Sequence, residues 1–303
     1  MTVIADEGYV DVDGGRVWYR IVGSGEATPL LCLHGGPGFC HDNLEPLADL
    51  ADERPVVLYD QLGCGNSERP TDPSLWIIER FVVELRQVVA ALRLERVHIL
   101  GHSWGSMLLL DYALTRPAEL QSLILASPCI SIPRWLDDGR RLREQLPAEI
   151  REALDRHEAA GTVTAPEYGA AMREFDKRHI CRLDPWPLPL QRSLIKSGGP
   201  VYRVMWGASE SNMAGGNLRY YDRTSRLSEI TLPVLWTCGR YDEAQPDTVA
   251  YYQSLLPGSE LAVFEESAHV PHLEEPARYV ATIRDFLARV DRGIGARHGG
   301  LSD

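Results

Sequence analysis

The sequence predicts an α/β fold: a mostly parallel sheet with helices on both faces and an inserted helical lid. Three observations predict it. Short continuous apolar runs at 29–33, 55–59 and 120–126 alternate with stretches of helical spacing, the pattern of strands buried on both faces. The alternation stops near residue 131 and resumes at 233, so a segment without sheet character is set into the chain. Between a strand-like run at 96–100 and a helix-like run at 106–114 stands Gly101-His102-Ser103-Trp104-Gly105, a turn too tight for large flanking residues.

The elements follow in order. Two β-rich runs, 9–12 and 16–22, flank Asp13-Gly14-Gly15 and read as a hairpin. The buried strand 29–33 ends in His34-Gly35-Gly36-Pro37-Gly38, and 43–50 is helix-like. The strand 55–59 ends in Asp60-Gln61-Leu62-Gly63-Cys64-Gly65-Asn66-Ser67. In 77–92 the residues Phe81, Leu85, Val88, Val89 and Leu92 recur at helical spacing. From 131 to 227 the chain is helix-rich with interspersed Pro and Trp, which reads as a lid. Strands return at 233–238 and 261–264, followed by helices near 247–256 and 275–290. The expected division is a core at 1–130 and 228–291, a helical cap at 131–227, and a Gly-rich tail at 292–303 that is expected to be disordered.

Bulk properties exclude several classes of function. With 303 residues and 44% hydrophobic content the chain supports a large core. A net charge of −12 argues against nucleic acid as a partner. Six scattered cysteines without C-x-x-C pairing read as buried free thiols rather than a disulfide or metal framework. The first residues show no basic region followed by an apolar core, and no run approaches a membrane span. The expectation is therefore a cytoplasmic protein bound to neither nucleic acid nor membrane, with its oligomeric state left open.

A G-x-S-x-G between strand and helix is the nucleophile elbow of the α/β-hydrolase fold. It presents Ser103 beside the N-terminus of a helix, where unpaired N–H groups favour developing negative charge. In that fold the acid and then the base follow the nucleophile in the chain, each at a strand end. Asp242 follows the strand ending at Cys238, and His269 follows the strand ending at Phe264. His269 would take the serine proton and Asp242 would hold the imidazole in the productive tautomer. His272 lies one turn further from the strand end, so His269 is preferred. His34, His98 and His102 precede the acid, so a structural or supporting role is expected of each. Asp60 is expected to fix the Gly-rich turn after it, and Asp111 to be structural. The oxyanion hole needs two backbone donors: the N–H of Trp104, and one from the loop after 29–33, with Gly36 chosen and Gly35 the alternative.

These motifs, His34-Gly35-Gly36-Pro37-Gly38, the run 60–67, the elbow and Gly239-Arg240-Tyr241-Asp242-Glu243, resemble those of the proline iminopeptidase family, including tricorn-interacting aminopeptidases and amino-acid amidases. The resemblance spans 9–290. It implies hydrolysis of the amide bond after an N-terminal residue of a short peptide or aminoacyl amide, without metal or organic cofactor. It further implies that two glutamates bind the substrate ammonium. Glu243, directly after Asp242, matches one, and the segment 205–211 puts the other at Glu210. An ammonium leaving water needs such paired negative charge. His102 departs from the small residue common in proline-selective members, so a broader aminopeptidase releasing other small or apolar residues, or an amidase for small amino-acid amides, is equally open beside strict proline release. The alternative is an esterase, or an amide hydrolase of a specialised metabolite, without amine recognition. Which of the lid aromatics Trp186, Tyr202 and Trp206 line the pocket is left open.

Overall fold

The computed structural model describes residues 4–207 and 216–293. The chain opens with β1 (Ile4–Val12) and β2 (Gly15–Val22), a hairpin in which Val12 pairs with Gly15. Then follow β3 (Leu30–Leu33), a 3-10 helix (His41–Leu50), β4 (Val56–Tyr59), α1 (Ile78–Ala91), β5 (Val97–His102), α2 (Trp104–Ala113) and β6 (Leu120–Ala126). Between β6 and the next strand lie α3 (Ile132–Arg143), α4 (Ala148–Ala160), α5 (Pro166–His179), α6 (Leu188–Ile195), α7 (Gly199–Met205) and a 3-10 helix (Thr224–Glu229). The chain resumes with β7 (Val234–Gly239), α8 (Pro246–Ser254), β8 (Glu260–Phe264), the single turn α9 (Pro271–Glu274) and α10 (Pro276–Asp291).

The eight strands form one sheet in the order β1-β2-β4-β3-β5-β6-β7-β8. β1 and β2 are antiparallel, β2 is antiparallel to β4, and every other pairing is parallel. Side chains alternate across a strand, so each apolar run feeds two cores. Leu31, Leu33, Val57, Tyr59, Ile99, Leu123 and Leu125 pack into the layer that holds α1, α2 and α8. Leu30, Cys32, Val56, Leu58, Leu100, Ile124 and Ala126 pack into the other, with the first 3-10 helix and α10. α2 is buried nearly all round, which explains its apolar sequence.

Two expected elements differ, one in kind and one in its start. The helix expected at 43–50 is a 3-10 helix containing Pro46, whose missing N–H breaks an α-helical ladder. The elbow helix starts at Trp104, two residues before the apolar run suggested. The tail expectation falls almost wholly outside the described residues, which end at 293.

Helices α4 and α5 share a small core of their own, with Leu142, Leu154, Tyr168 and Phe175. α6 is fastened to the core layer instead. Arg192 and Lys196 each lie 2.9 Å from the Asp42 carboxylate, Arg192 also pairs with Glu45, and the Cys40 N–H donates to Ser193 Oγ at 3.2 Å. Burial would raise the Asp42 carboxyl, but the bonds from Cys40, Lys196 and Arg192 outweigh it and hold it down to about 2. Among the described residues no helix is long and apolar enough to cross a membrane.

Candidate active site

The site lies at the carboxyl ends of the parallel strands, where loops from β3, β5, β7 and β8 converge. Ser103 joins β5 to α2 at φ 54° and ψ −120°, a conformation disfavoured for a side chain with a Cβ. Its backbone is pinned on both sides: the Ser103 N–H donates to the Ala126 carbonyl at 2.9 Å, and the Ser103 carbonyl accepts from the Ser106 N–H at 2.8 Å and from Ser106 Oγ at 2.5 Å. A Cβ on Gly101 would stand 2.2 Å from the Gly105 carbonyl oxygen, and one on Gly105 would stand 2.4 Å from that of Leu33. Strand and helix are too close here for any side chain, which is what the two glycines provide.

Asp242 and His269 meet as the chain order requires. His269 Nδ1–H donates to Asp242 Oδ1 at 2.7 Å. The same carboxylate accepts the Ala244 N–H at 2.8 Å and the Gly239 N–H at 3.3 Å, so the fully buried Asp242 is held by three donors. The backbone of His269 is clamped as well. Its N–H donates to Ile180, and its carbonyl accepts from His102 Nε2–H at 2.8 Å and Ser127 Oγ at 3.0 Å. His102, the residue that departs from the family pattern, thus orients the base's backbone. Burial, reinforced by the neighbouring His269 and His272, holds its pKa well below the ordinary histidine value. His272 is buried on α9 and held down to about 3, chiefly by burial, and it makes no bond to Asp242.

The early glycine loop is tied to the elbow through Gln61. Trp104 Nε1–H donates to Gln61 Oε1 at 2.8 Å, Gln61 Nε2–H donates to the His34 carbonyl at 3.1 Å, and the Gln61 N–H donates to His34 Nε2 at 3.0 Å. Burial keeps His34 down to about 4, so this nitrogen is the unprotonated acceptor. Asp60 accepts the Asn66 N–H at 2.8 Å and His41 Nδ1–H at 2.8 Å, the turn-fixing role expected of it. Asp111 is bound by Arg223 at 2.7 Å and His98 by Ser122 at 2.7 Å, both structural contacts.

A pocket of about 120 Å³ opens over the serine. From the core it is lined by Gly35, Gly36, His102, Ser103, Glu243 and His269, and from the segment between β6 and β7 by Asp176, Ile180, Trp186, Leu190 and Leu194. No lysine or arginine lines it among the described residues. Glu243 Oε1 lies 3.7 Å from His269 Nε2. Glu210 falls outside the described residues, so its expected place in the pocket has no geometry here. Of the three aromatics, Trp186 lines the pocket. Trp206 packs edge-on to Trp135, which in turn meets the His269 ring edge-on at 5.8 Å. Asp176 was not legible in the sequence: it sits in the last turn of α5, away from any strand end, and no motif marks it. His41, Asp42 and Glu45 also converge, but His41 bonds Asp60 and Arg192 and Lys196 already occupy Asp42, which leaves a poor set for a metal ion.

Residues 28–276 match the family model for the alpha/beta hydrolase fold. The chain is 48% identical over 283 residues to a proline iminopeptidase of Heyndrickxia coagulans, covering 93% of this chain and 98% of that one. Among solved structures it is similar to VinJ, with TM-score 0.91, 37% identity and coverage of 95% and 100% of the two chains. It is also similar to a proline iminopeptidase from Mycobacterium smegmatis, with TM-score 0.87, 37% identity and coverage of 95% and 99%.

Proposed function

The chain belongs to the proline iminopeptidase family of α/β-hydrolases, and on that premise we propose that it is a serine aminopeptidase that releases an N-terminal residue, proline foremost, from short peptides and aminoacyl amides. The observation that carries the proposal is one pocket lined at once by Ser103, His269 and Glu243, with His269 bonded to the buried Asp242.

In this reading Ser103 Oγ attacks the scissile carbonyl carbon while His269 Nε2 takes its proton. The 2.7 Å bond from Nδ1–H to Asp242 keeps Nε2 free of hydrogen and stabilises the imidazolium that forms. The oxyanion is held by the N–H of Trp104, the first residue of α2, and by that of Gly36, with Gly35 the neighbouring alternative on the same pocket wall. The tetrahedral adduct collapses to an acyl-enzyme as His269 returns the proton to the leaving nitrogen. Water, deprotonated by His269, attacks the acyl carbon, and as this second adduct breaks its bond to Ser103 Oγ the imidazolium returns the proton to that oxygen and the free amino acid leaves. Glu243 binds the substrate ammonium, and Glu210 is its proposed partner from residues 131–227, which act as a cap over the site. The absence of lysine and arginine from the described lining supports a cationic substrate. A cytoplasmic setting belongs to the same proposal, since all six cysteines are buried free thiols.

Labelling by a serine-reactive fluorophosphonate tests the nucleophile. The native protein is expected to label stoichiometrically, and Ser103→Ala to lose both the label and about 10⁶-fold in prolyl anilide turnover. A folded Ser103→Ala protein that still labels in the pocket, or still turns over, contradicts the assignment.

A further inference from the structure

The geometry points to Asp176 as a specificity-determining residue: its carboxylate, together with Glu243, binds the substrate's free N-terminal ammonium from the α5 side of the pocket. The inference rests on the aminopeptidase reading above and adds a residue that no motif identifies.

Three observations lead to it. The first is placement. Asp176 lines the same pocket as Ser103, His269 and Glu243, but reaches it from α5 rather than from the loop after β7. The two carboxylates therefore approach the pocket from different elements, and a small cation between them meets negative charge from both.

The second is attachment. The last turn of α5 is bonded directly to the loops that carry the acid and the base. The Glu243 N–H donates to the His179 carbonyl at 3.3 Å, His179 Nδ1–H donates to the Tyr241 carbonyl at 2.9 Å, and the His269 N–H donates to the Ile180 carbonyl at 3.1 Å. Asp176 lies one helical turn before Ile180, and its own carbonyl accepts the Ile180 N–H at 2.9 Å. The wall bearing Asp176 is thereby fixed in register with residues on both sides of Asp242. A substrate cation bound there is held at a set distance from the reacting carbonyl, the condition for a productive attack geometry.

The third is charge. The described lining contains two carboxylates and neither lysine nor arginine, and its remaining surface from the cap side is apolar: Ile180, Trp186, Leu190 and Leu194. A carboxylate pair in such surroundings attracts a cation strongly. The N-terminal proline ammonium carries two N–H donors that each need an acceptor once they leave water. Glu243 and Asp176 each supply an acceptor carboxylate, beside the Glu210 proposed above.

The test compares kcat and KM of the native protein, Asp176→Asn and Asp176→Glu on prolyl anilide and on N-acetylprolyl anilide, with active sites counted by fluorophosphonate titration. Asp176→Asn keeps the side chain's shape and removes its charge. Its selectivity for the free amine over the acetylated substrate is expected to fall about 10- to 100-fold, carried mainly by KM. Asp176→Glu is expected to restore part of that selectivity, which a merely structural role would not. Unchanged selectivity in Asp176→Asn with full active-site titration overturns the inference, as does an equal loss on both substrates. Failure of the underlying reading is seen separately, in the native protein, as equal turnover of the two anilides.

Discussion

Ser103 is held at φ 54° by two backbone hydrogen bonds and one from the Ser106 hydroxyl, and a strained conformation of this kind survives only where its surroundings over-determine it. The same holds for the residues around the proposed oxyanion hole. Gln61 makes no contact with substrate in the proposed mechanism, yet its side chain joins the Trp104 indole to the His34 carbonyl, and so the elbow to the glycine loop. Gln61→Leu removes both bonds and leaves a buried indole N–H and a buried carbonyl unpaired, at a cost of about 1–3 kcal/mol each. The expected result is a lower unfolding free energy together with a fall in kcat that exceeds any change in KM, since the donors to the oxyanion lose their fixed spacing. Denaturant unfolding and steady-state kinetics on prolyl anilide check this. A variant with native kcat contradicts the link between Gln61 and the oxyanion loop.

At the scale of elements, the legible parts of the site are those that hang from strand ends. The apolar runs at β3, β5, β7 and β8 announce themselves because both faces of each strand are covered, and the residue just past each run is then positioned by the sheet. Asp242 and His269 were found in this way, and their 2.7 Å bond follows from the spacing of neighbouring strands β7 and β8. The segment between β6 and β7 offers no such frame. Its helices have ordinary amphipathic or polar sequences, and which face meets the pocket depends on docking contacts such as Arg192 to Asp42 and His179 to Tyr241. Asp176 could not be picked from the acidic residues of α5 without them. The helix-like segment at 43–50 is a 3-10 helix over His41–Leu50, because Pro46 forbids an unbroken α-helical ladder. His102 read as a departure from a family pattern, and only the 2.8 Å bond to the His269 carbonyl gives it a purpose.

For the whole molecule, folding lowers the pKa values of five buried imidazoles among the described residues. Burial lowers the pKa of His34 to about 4 and of His272 to about 3, and lowers those of His98, His102 and His179. Each is neutral in the folded state at a pH where the unfolded chain, with histidines near 6.5, binds protons. Their contribution to stability is therefore complete above about pH 6.5 and is lost as pH falls from there toward the folded values, at roughly 1 kcal/mol per group and pH unit. Burial also raises the carboxyls of Glu84, Asp138 and Glu274, which acts in the opposite sense over the lower part of that window, but the histidines outnumber them. The urea midpoint is expected to fall continuously between pH 6.5 and 4, well before most carboxylates titrate. A midpoint that stays flat over that interval contradicts the assigned neutral states.

Selection of an acyl group by its free amine is tested most directly by one comparison that needs no substitution. Prolyl anilide and N-acetylprolyl anilide differ only in the charge and hydrogen-bonding of that nitrogen. The account predicts that kcat/KM for the free amine exceeds that for the acetylated substrate by at least about 100-fold, the order expected when a buried carboxylate loses its cation. Equal values of kcat/KM would contradict it and leave a serine hydrolase of the same fold that does not read the amine.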